Sequence, residues 1–414
     1  LIRSVVFPSS VLSGLGRASV ALIVFTVSVF ALLSVGAVIQ RQATYFPDLI
    51  SFEQRDDGSV FIDHWKMSTA LLVPHANASA GAAERDAPPR DGRHYASCGM
   101  KWHGLGLTDF ALLAEITYFD DKDNELQELL DLVMPVEADF RLVRTAVPRD
   151  RTRPQAIFAE VRSEPMNVTV LSVRGTDLGR LHDFVTDMLL YSEPVLFHFL
   201  RTAFPTVRLW PSYTRFYVIK ALHEALDFFG LRSVNEFYVP LYERIQELKA
   251  RGENVALTGH SLGGGLAHAI GSMVGFPSIA FNPPGLGDSY LKYSIPIHED
   301  GFVPSEALHH QTISVQVDYD FLSGVDKQIG MIQRIACKHR DKSHQLACHM
   351  LEASMCEVIE NCGHSRWKQC IAAFDAYAHL PSLVGLVYEH RWWILPVVGF
   401  ISIVLFLLLA LELM

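Results

Sequence analysis

Apolar positions in this chain follow three different patterns. At each end stands an unbroken apolar run, residues 18–39 and 392–410, with no charged residue inside. Arg3 and Arg17 precede the first and Arg41 follows it, while His390, Arg391 and the Trp392–Trp393 pair mark the start of the second. At 1.5 Å per helical residue either run is long enough to cross a bilayer core of about 30 Å. The pattern therefore predicts membrane-spanning helices at 18–39 and 392–411, the tryptophan pair suiting a membrane–water interface. A buried core helix is the alternative for each run. A cleaved signal peptide is another for the first, although its apolar length exceeds the usual signal core of roughly 7–15 residues, which points to an uncleaved anchor.

Between the runs the period changes from one segment to the next. Residues 105–118 read as a helix, with Leu105, Leu112, Ile116 and Phe119 as its apolar positions, and 124–133 as a second. Residues 156–161 and 168–173 read as two strands around a turn at 163–166. The second is rich in β-branched residues, suits a buried central position, and ends at Arg174-Gly175-Thr176. Residues 183–204 are strongly apolar. Residues 213–250 suggest one or two amphipathic helices, carrying Tyr217, Leu222, Leu226 and then Leu241, Ile245 and Leu248. A short strand at 255–258, a glycine-rich turn, a small-residue helix over 262–273 and strands at 277–281 and 313–317 complete the order. Strands alternating with helices predict an α/β fold around a mostly parallel sheet. Residues 1–17 are an N-terminal tail. Residues 40–104 read as a linker and N-terminal extension, with an exposed loop at 76–93 rich in Ala, Asp, Pro, Gly and Arg. No internal repeat is visible, and the folded domain is expected over 105–380.

Composition sharpens this picture in two places. The chain has 414 residues, half of them hydrophobic, and a formal net charge of −10, so nothing favours a nucleic-acid partner. It begins at Leu1 rather than Met, which fits either a processed N-terminus or further sequence upstream. Two spans with one domain between them place both ends on the same side of a membrane. Asn77-Ala-Ser79 and Asn167-Val-Thr169 are N-glycosylation sequons, each a short pattern that also arises by chance. Six cysteines include five between Cys337 and Cys370, which reads as a disulfide-stapled segment in an oxidising lumen. Free thiols and a zinc site using His339, His344, His349 or His364 are the alternatives, but the Cys356–Cys362 and Cys362–Cys370 spacings do not fit the usual zinc knuckles.

The chemistry is carried by Gly259-His260-Ser261-Leu262-Gly263, a G-x-S-x-G sequence. Such a serine sits on a strained strand-to-helix turn, so its neighbours must be small. Here the motif follows a predicted strand and opens a predicted helix, the context the chemistry requires. The plain alternative is a glycine-rich turn with a structural serine. The helix N-terminus favours developing negative charge, and the N–H of Leu262 is one candidate oxyanion donor. Thr176, at the end of the 168–173 strand, is the candidate second donor, against an ordinary strand-end turn. A general base and its orienting acid should follow in the order Ser, Asp, His. Asp320, just past the strand ending near Val317, is the candidate acid, with Asp318 and the more distant Asp326 as alternatives. Among the downstream histidines, His349 is the candidate base because a bridge at Cys348 would hold its ring in place. His364 is the alternative.

Taken together, Val173-Arg-Gly-Thr176, Asp183-Phe-Val-Thr-Asp187, Thr258-Gly-His-Ser-Leu-Gly-Gly264, Phe281-Asn-Pro-Pro-Gly285 and Asp318-Tyr-Asp-Phe-Leu322 resemble the class 3, fungal triacylglycerol lipase family of α/β-hydrolases over roughly residues 105–355. The resemblance implies a serine esterase acting on acylglycerols or phospholipids, with Ser261 as nucleophile and Thr176 and Leu262 as the oxyanion hole. It also implies a lid, which maps onto 188–211. An ordinary core helix is the alternative there. The anchored ends are similar to those of vacuolar autophagic-body lipases and diacylglycerol lipases. Ser323 stands where the family's acid motif usually has proline. No metal or cofactor is implied. Lipid is the expected partner, in a membrane protein whose domain lies on the lumenal or extracytoplasmic side. A lipase fold kept as a structural subunit of a membrane complex, and an esterase or thioesterase for non-lipid acyl groups, are the rival expectations.

Overall fold

In the computed structural model, the segments predicted as alternating strands and helices line up in a single sheet. The structure describes residues 50–64, 68–75, 95–119, 123–146, 155–175, 210–211, 214–215, 217–220, 238–287, 311–320, 322–338 and 345–373. The chain divides into two units, Phe46–Leu380 and the pair of end segments Leu1–Tyr45 and Pro381–Met414. The second unit, and with it both predicted membrane spans, lies outside the described residues, as do the loop at 76–93 and residues 188–209 of the predicted lid. Among the described residues no helix is long and apolar enough to cross a membrane.

Two sheets are present among the described residues. The smaller has four antiparallel strands in the order β1 (Ile50–Gln54), β2 (Val60–His64), β3 (Ser68–Pro74) and β11 (Trp367–Ala373). The larger contains β4 (Phe140–Ala146), β5 (Phe158–Ser163), β6 (Val168–Val173), β7 (Val255–His260), β8 (Ser278–Phe281), β9 (Thr312–Val317) and β10 (Met331–Ile335). They lie side by side in that order, and the sheet is parallel from β6 to β10 and antiparallel from β4 to β6. Helices are α1 (Leu107–Glu115), α2 (Asp123–Val133), α3 (Val239–Ala250), α4 (Ser261–Val274), α5 (Gln345–His349) and α6 (Leu351–Cys362). The extension at 40–104 thus supplies three strands. They are short, and their partner β11 lies far along the chain, so local pattern alone did not reveal them.

Every residue of β6, β7 and β9 is buried. Successive residues point to opposite faces, so strands covered on both sides read as continuous apolar runs. Val168 and Val170 join a core with Phe110 of α1 and Met355 of α6, while Leu171 and Val173 join another with Leu241 of α3 and Ile270 of α4. Helices on both faces thus bury the sheet in three layers. Charges reinforce two seams. Arg244 of α3 grips Glu160 of β5 through two hydrogen bonds of 2.7 Å, where Glu160 is almost wholly buried. The Glu115 carboxyl, buried at the end of α1 near Glu352 of α6, is held protonated well above the usual carboxylate range, first by burial and then by its acidic neighbour.

All six cysteines form disulfides: Cys98–Cys362, Cys337–Cys348 and Cys356–Cys370. Every cysteine sulfur is therefore consumed, which removes the free-thiol and zinc alternatives for the cysteines. The bridges tie α6 to the 3₁₀ turn at Ala96–Gly99 and to β11, and tie α5 to the end of β10.

Two turns along α4 from Ser261 lies His268, buried and bonded through Nδ1 to Ser278 Oγ at 2.8 Å and through Nε2 to Ser314 Oγ at 3.1 Å. Burial pushes its imidazole down to about 3 from an ordinary value of 6.5. Between those values the unfolded chain binds a proton that the folded chain refuses, so this group makes stability rise with pH there. Acidification from pH 6.5 to pH 4 should cost about 3 kcal/mol through His268. Urea unfolding across that range should show a shallower pH slope in His268→Gln. An unchanged slope would remove His268 as its source.

Candidate active site

Between the end of β7 and the start of α4 the chain turns through Ser261 at φ +54°, a left-handed conformation uncommon outside glycine. The turn persists because two glycines let the helix close on the sheet. A Cβ on Gly259 would lie 2.6 Å from the Val173 carbonyl oxygen, and one on Gly263 would overlap that oxygen and the Arg174 backbone. The turn presents the serine side chain at the C-terminal edge of the parallel strands, where α/β sheets bind their ligands. As α4 begins at Ser261, its first amides, Leu262 among them, lack partners within the helix. They point positive partial charge at the same spot.

Asp320 arrives from the next strand but one. Beyond β9 the turn runs through Tyr319 at φ +71°, and the amide of Asp320 donates back to the Val317 carbonyl at 3.2 Å. This aims the Asp320 carboxylate inward. Asp318, by contrast, is exposed and its amide bonds Ile335, while the Asp326 carboxylate accepts the amide of its neighbour Lys327. His349 closes α5 directly after the bridged Cys348. Its Nδ1 lies 2.9 Å from Asp320 Oδ1 and its Nε2 2.8 Å from Ser261 Oγ. All three residues are less than a tenth exposed. An ionised carboxylate can only accept, so Nδ1 carries the proton and Nε2 offers its lone pair to the serine hydroxyl. His364, the other candidate base, caps a turn: its Nδ1 accepts the amides of Arg366 and Trp367, and its Nε2 faces Asp109 at 3.3 Å.

Of the sequence-predicted residues, then, Ser261, His349 and Asp320 meet, with Leu262 at the helix N-terminus beside them. Thr176 lies outside the described residues. The neighbouring Gly175 packs against the phenol of Tyr118: a Cβ on it would lie 2.5 Å from that oxygen.

One contributor escaped the sequence reading. Asn282, wholly buried at φ +49° past β8, accepts the Val317 amide on Oδ1 at 2.9 Å. Its Nδ2 reaches the carbonyls of His349 at 2.9 Å and Cys348 at 3.2 Å, and Ser354 Oγ at 3.2 Å. A single amide therefore joins the strand that delivers Asp320 to the segment that delivers His349. The available signal was a lone amide at the end of an apolar strand, directly before two prolines.

Residues 236–365 match the family described as phospholipase-like, the Tle-like phospholipase domain. That stretch contains Ser261, Asp320 and His349. No curated protein matches the chain. Among solved structures it is similar to the Lip2 lipase of Yarrowia lipolytica, at 16% identity over 56% of this chain and 77% of that one, with a TM-score of 0.30. It is also similar to a lipase of Rhizopus microsporus var. chinensis, at 15% identity over 57% and 74% with a TM-score of 0.28. The M37 lipase aligns at 14% identity over 73% and 94% with a TM-score of 0.32.

Replacing Asn282 by Ala strands the buried Val317 amide and takes one donor from each of the Cys348 and His349 carbonyls. Loss of about 2–4 kcal/mol in urea unfolding is expected. A loss below about 0.5 kcal/mol would mean that Asn282 does not join these segments.

Proposed function

We propose that acyl esters of membrane lipids are the substrate of this chain, which is a lipase-like α/β-hydrolase and hence a carboxylic ester hydrolase. The observation that carries the reading is the line of hydrogen bonds from Asp320 through His349 to Ser261 Oγ, at 2.9 and 2.8 Å, on a strained elbow. In the proposed reaction Ser261 Oγ attacks the ester carbonyl carbon and gives its proton to His349 Nε2. The imidazolium is stabilised by Asp320. The oxyanion is held by the Leu262 amide and, in this reading, by Thr176. Collapse breaks the ester C–O bond, and His349 returns the proton to the departing alcohol. Water, deprotonated by the same histidine, then hydrolyses the acyl-enzyme. The match to a Tle-like phospholipase domain favours glycerophospholipids over neutral acylglycerols.

The same reading places the enzyme at a membrane, anchored by 18–39 and 392–410, with its domain in an oxidising lumen. Three disulfides support that compartment. Asn167 supports it too: it is exposed at the β5–β6 turn, at the sheet end opposite Ser261, where a glycan leaves the catalytic edge uncovered.

Two experiments test these statements. The full chain in detergent should label with a fluorophosphonate and release fatty acid from phosphatidylcholine vesicles. Ser261→Ala should do neither while keeping its unfolding midpoint. A wild type that neither labels nor turns over would leave the structural-subunit alternative standing. For the compartment, expression in a eukaryotic secretory system should give a glycan-dependent mobility shift that Asn167→Gln reduces. A chain that never shifts would count against the lumenal placement.

A further inference from the structure

The histidine that serves Ser261 is fixed by its main chain as well as by its ring. Besides Asn282, the His349 carbonyl is bonded by Nε2 of His260 at 2.7 Å. A carbonyl only accepts, so that nitrogen carries a proton. The other nitrogen of His260, Nδ1, lies 2.7 Å from the Tyr118 hydroxyl. Tyr118 closes the 3₁₀ turn Ile116–Tyr118 that follows α1, and its oxygen packs against Gly175, where a Cβ would lie 2.5 Å from it. With the proton of neutral His260 on Nε2, Nδ1 offers a lone pair, so the phenol donates to it.

The surroundings keep the phenol a donor. Burial above all raises its pKa well above the ordinary tyrosine value, and the Arg174 guanidinium, 5.8 Å over the ring, opposes that without prevailing. The rings of His260 and His349 lie 5.0 Å apart between centroids. A positive charge on His260 would therefore oppose the imidazolium that His349 becomes during acyl transfer.

We propose that Tyr118 and His260 are positioning residues for His349: the Tyr118 phenol, seated against Gly175, donates to His260 and selects the uncharged His260 tautomer whose Nε2–H anchors the His349 carbonyl. One phenol thereby links the turn after α1 to the segment that supplies the base. The catalytic consequence rests on the lipase reading above, whereas the tautomer stands independently of it.

The test uses the full chain in detergent with ¹⁵N-labelled histidine. In the wild type, the His260 ring, identified by its loss in His260→Gln, should show a protonated Nε2 and a bare, hydrogen-bonded Nδ1. Tyr118→Phe should move the Nδ1 resonance. A doubly protonated ring, or the proton on Nδ1, would overturn the proposal whether or not the protein is an esterase. On a short-chain ester, Tyr118→Phe should lower kcat about tenfold and leave KM within about twofold, the scale expected for one lost positioning hydrogen bond. His260→Leu should lose more. His260→Gln, whose amide nitrogen can replace Nε2 as donor to His349, should recover most of that loss. Equal kcat in the Gln and Leu variants, or wild-type kcat in Tyr118→Phe, would refute the positioning role. A wild type without esterase activity would instead refute the lipase reading and leave the tautomer measurement to decide this one.

Discussion

Everything at the catalytic edge depends on how closely the first turn of α4 approaches the end of β6. The Val173 carbonyl sits where side chains at Gly259 or Gly263 would have to be. Because that gap is closed, Ser261 is forced into a left-handed conformation, and the helix amides open directly onto its hydroxyl. Backbone strain of this kind costs on the order of 1–3 kcal/mol and survives only where surrounding packing over-determines it. The over-determination is visible here: β6, β7 and β9 are buried throughout, and helices cover both faces of the sheet.

Three left-handed residues, Ser261, Asn282 and Tyr319, stand just past the ends of β7, β8 and β9. Each turns the chain sharply where a parallel strand would otherwise run into solvent, and each serves the same site. Ser261 is presented by its turn, Asn282 binds the main chain of His349, and Tyr319 precedes the acid. The site is thus assembled from consecutive strand ends, with the sheet acting as the ruler that sets their spacing. His349 is the exception. It comes from a short helix outside the sheet and is held by hydrogen bonds from Asn282 and His260 and by the neighbouring Cys337–Cys348 bridge.

Much of this was legible in the sequence because it is local. The β-branched run of β6, the small residues of α4 and the glycines around Ser261 state their own structure within a few positions. Asp320 and His349 were reachable by order along the chain and, for the histidine, by its cysteine neighbour. The acid could be separated from Asp318 only by a turn whose hinge is a tyrosine in an uncommon conformation, which no propensity announces. Contacts between distant segments were not legible. β1, β2 and β3 depend on β11, and Tyr118 meets His260 across 142 positions of sequence. Each of those residues has an unremarkable local pattern, and its role appears only when the partner is in place. The cysteine cluster reads as a stapled segment without fixing which cysteine bonds which, and Cys362 takes its partner from Cys98, far outside it.

That last bridge spans 264 positions, and β3 finds its second neighbour only in β11. During synthesis the nucleophilic elbow therefore emerges from the ribosome long before the residues that complete the domain. His349 and the α6 cysteines come later still, and the sheet partner of β3 comes last. In the proposed reading, an arrested or truncated translation product ending before residue 349 carries Ser261 without its base, so chain completion itself works as the safety catch on the nucleophile.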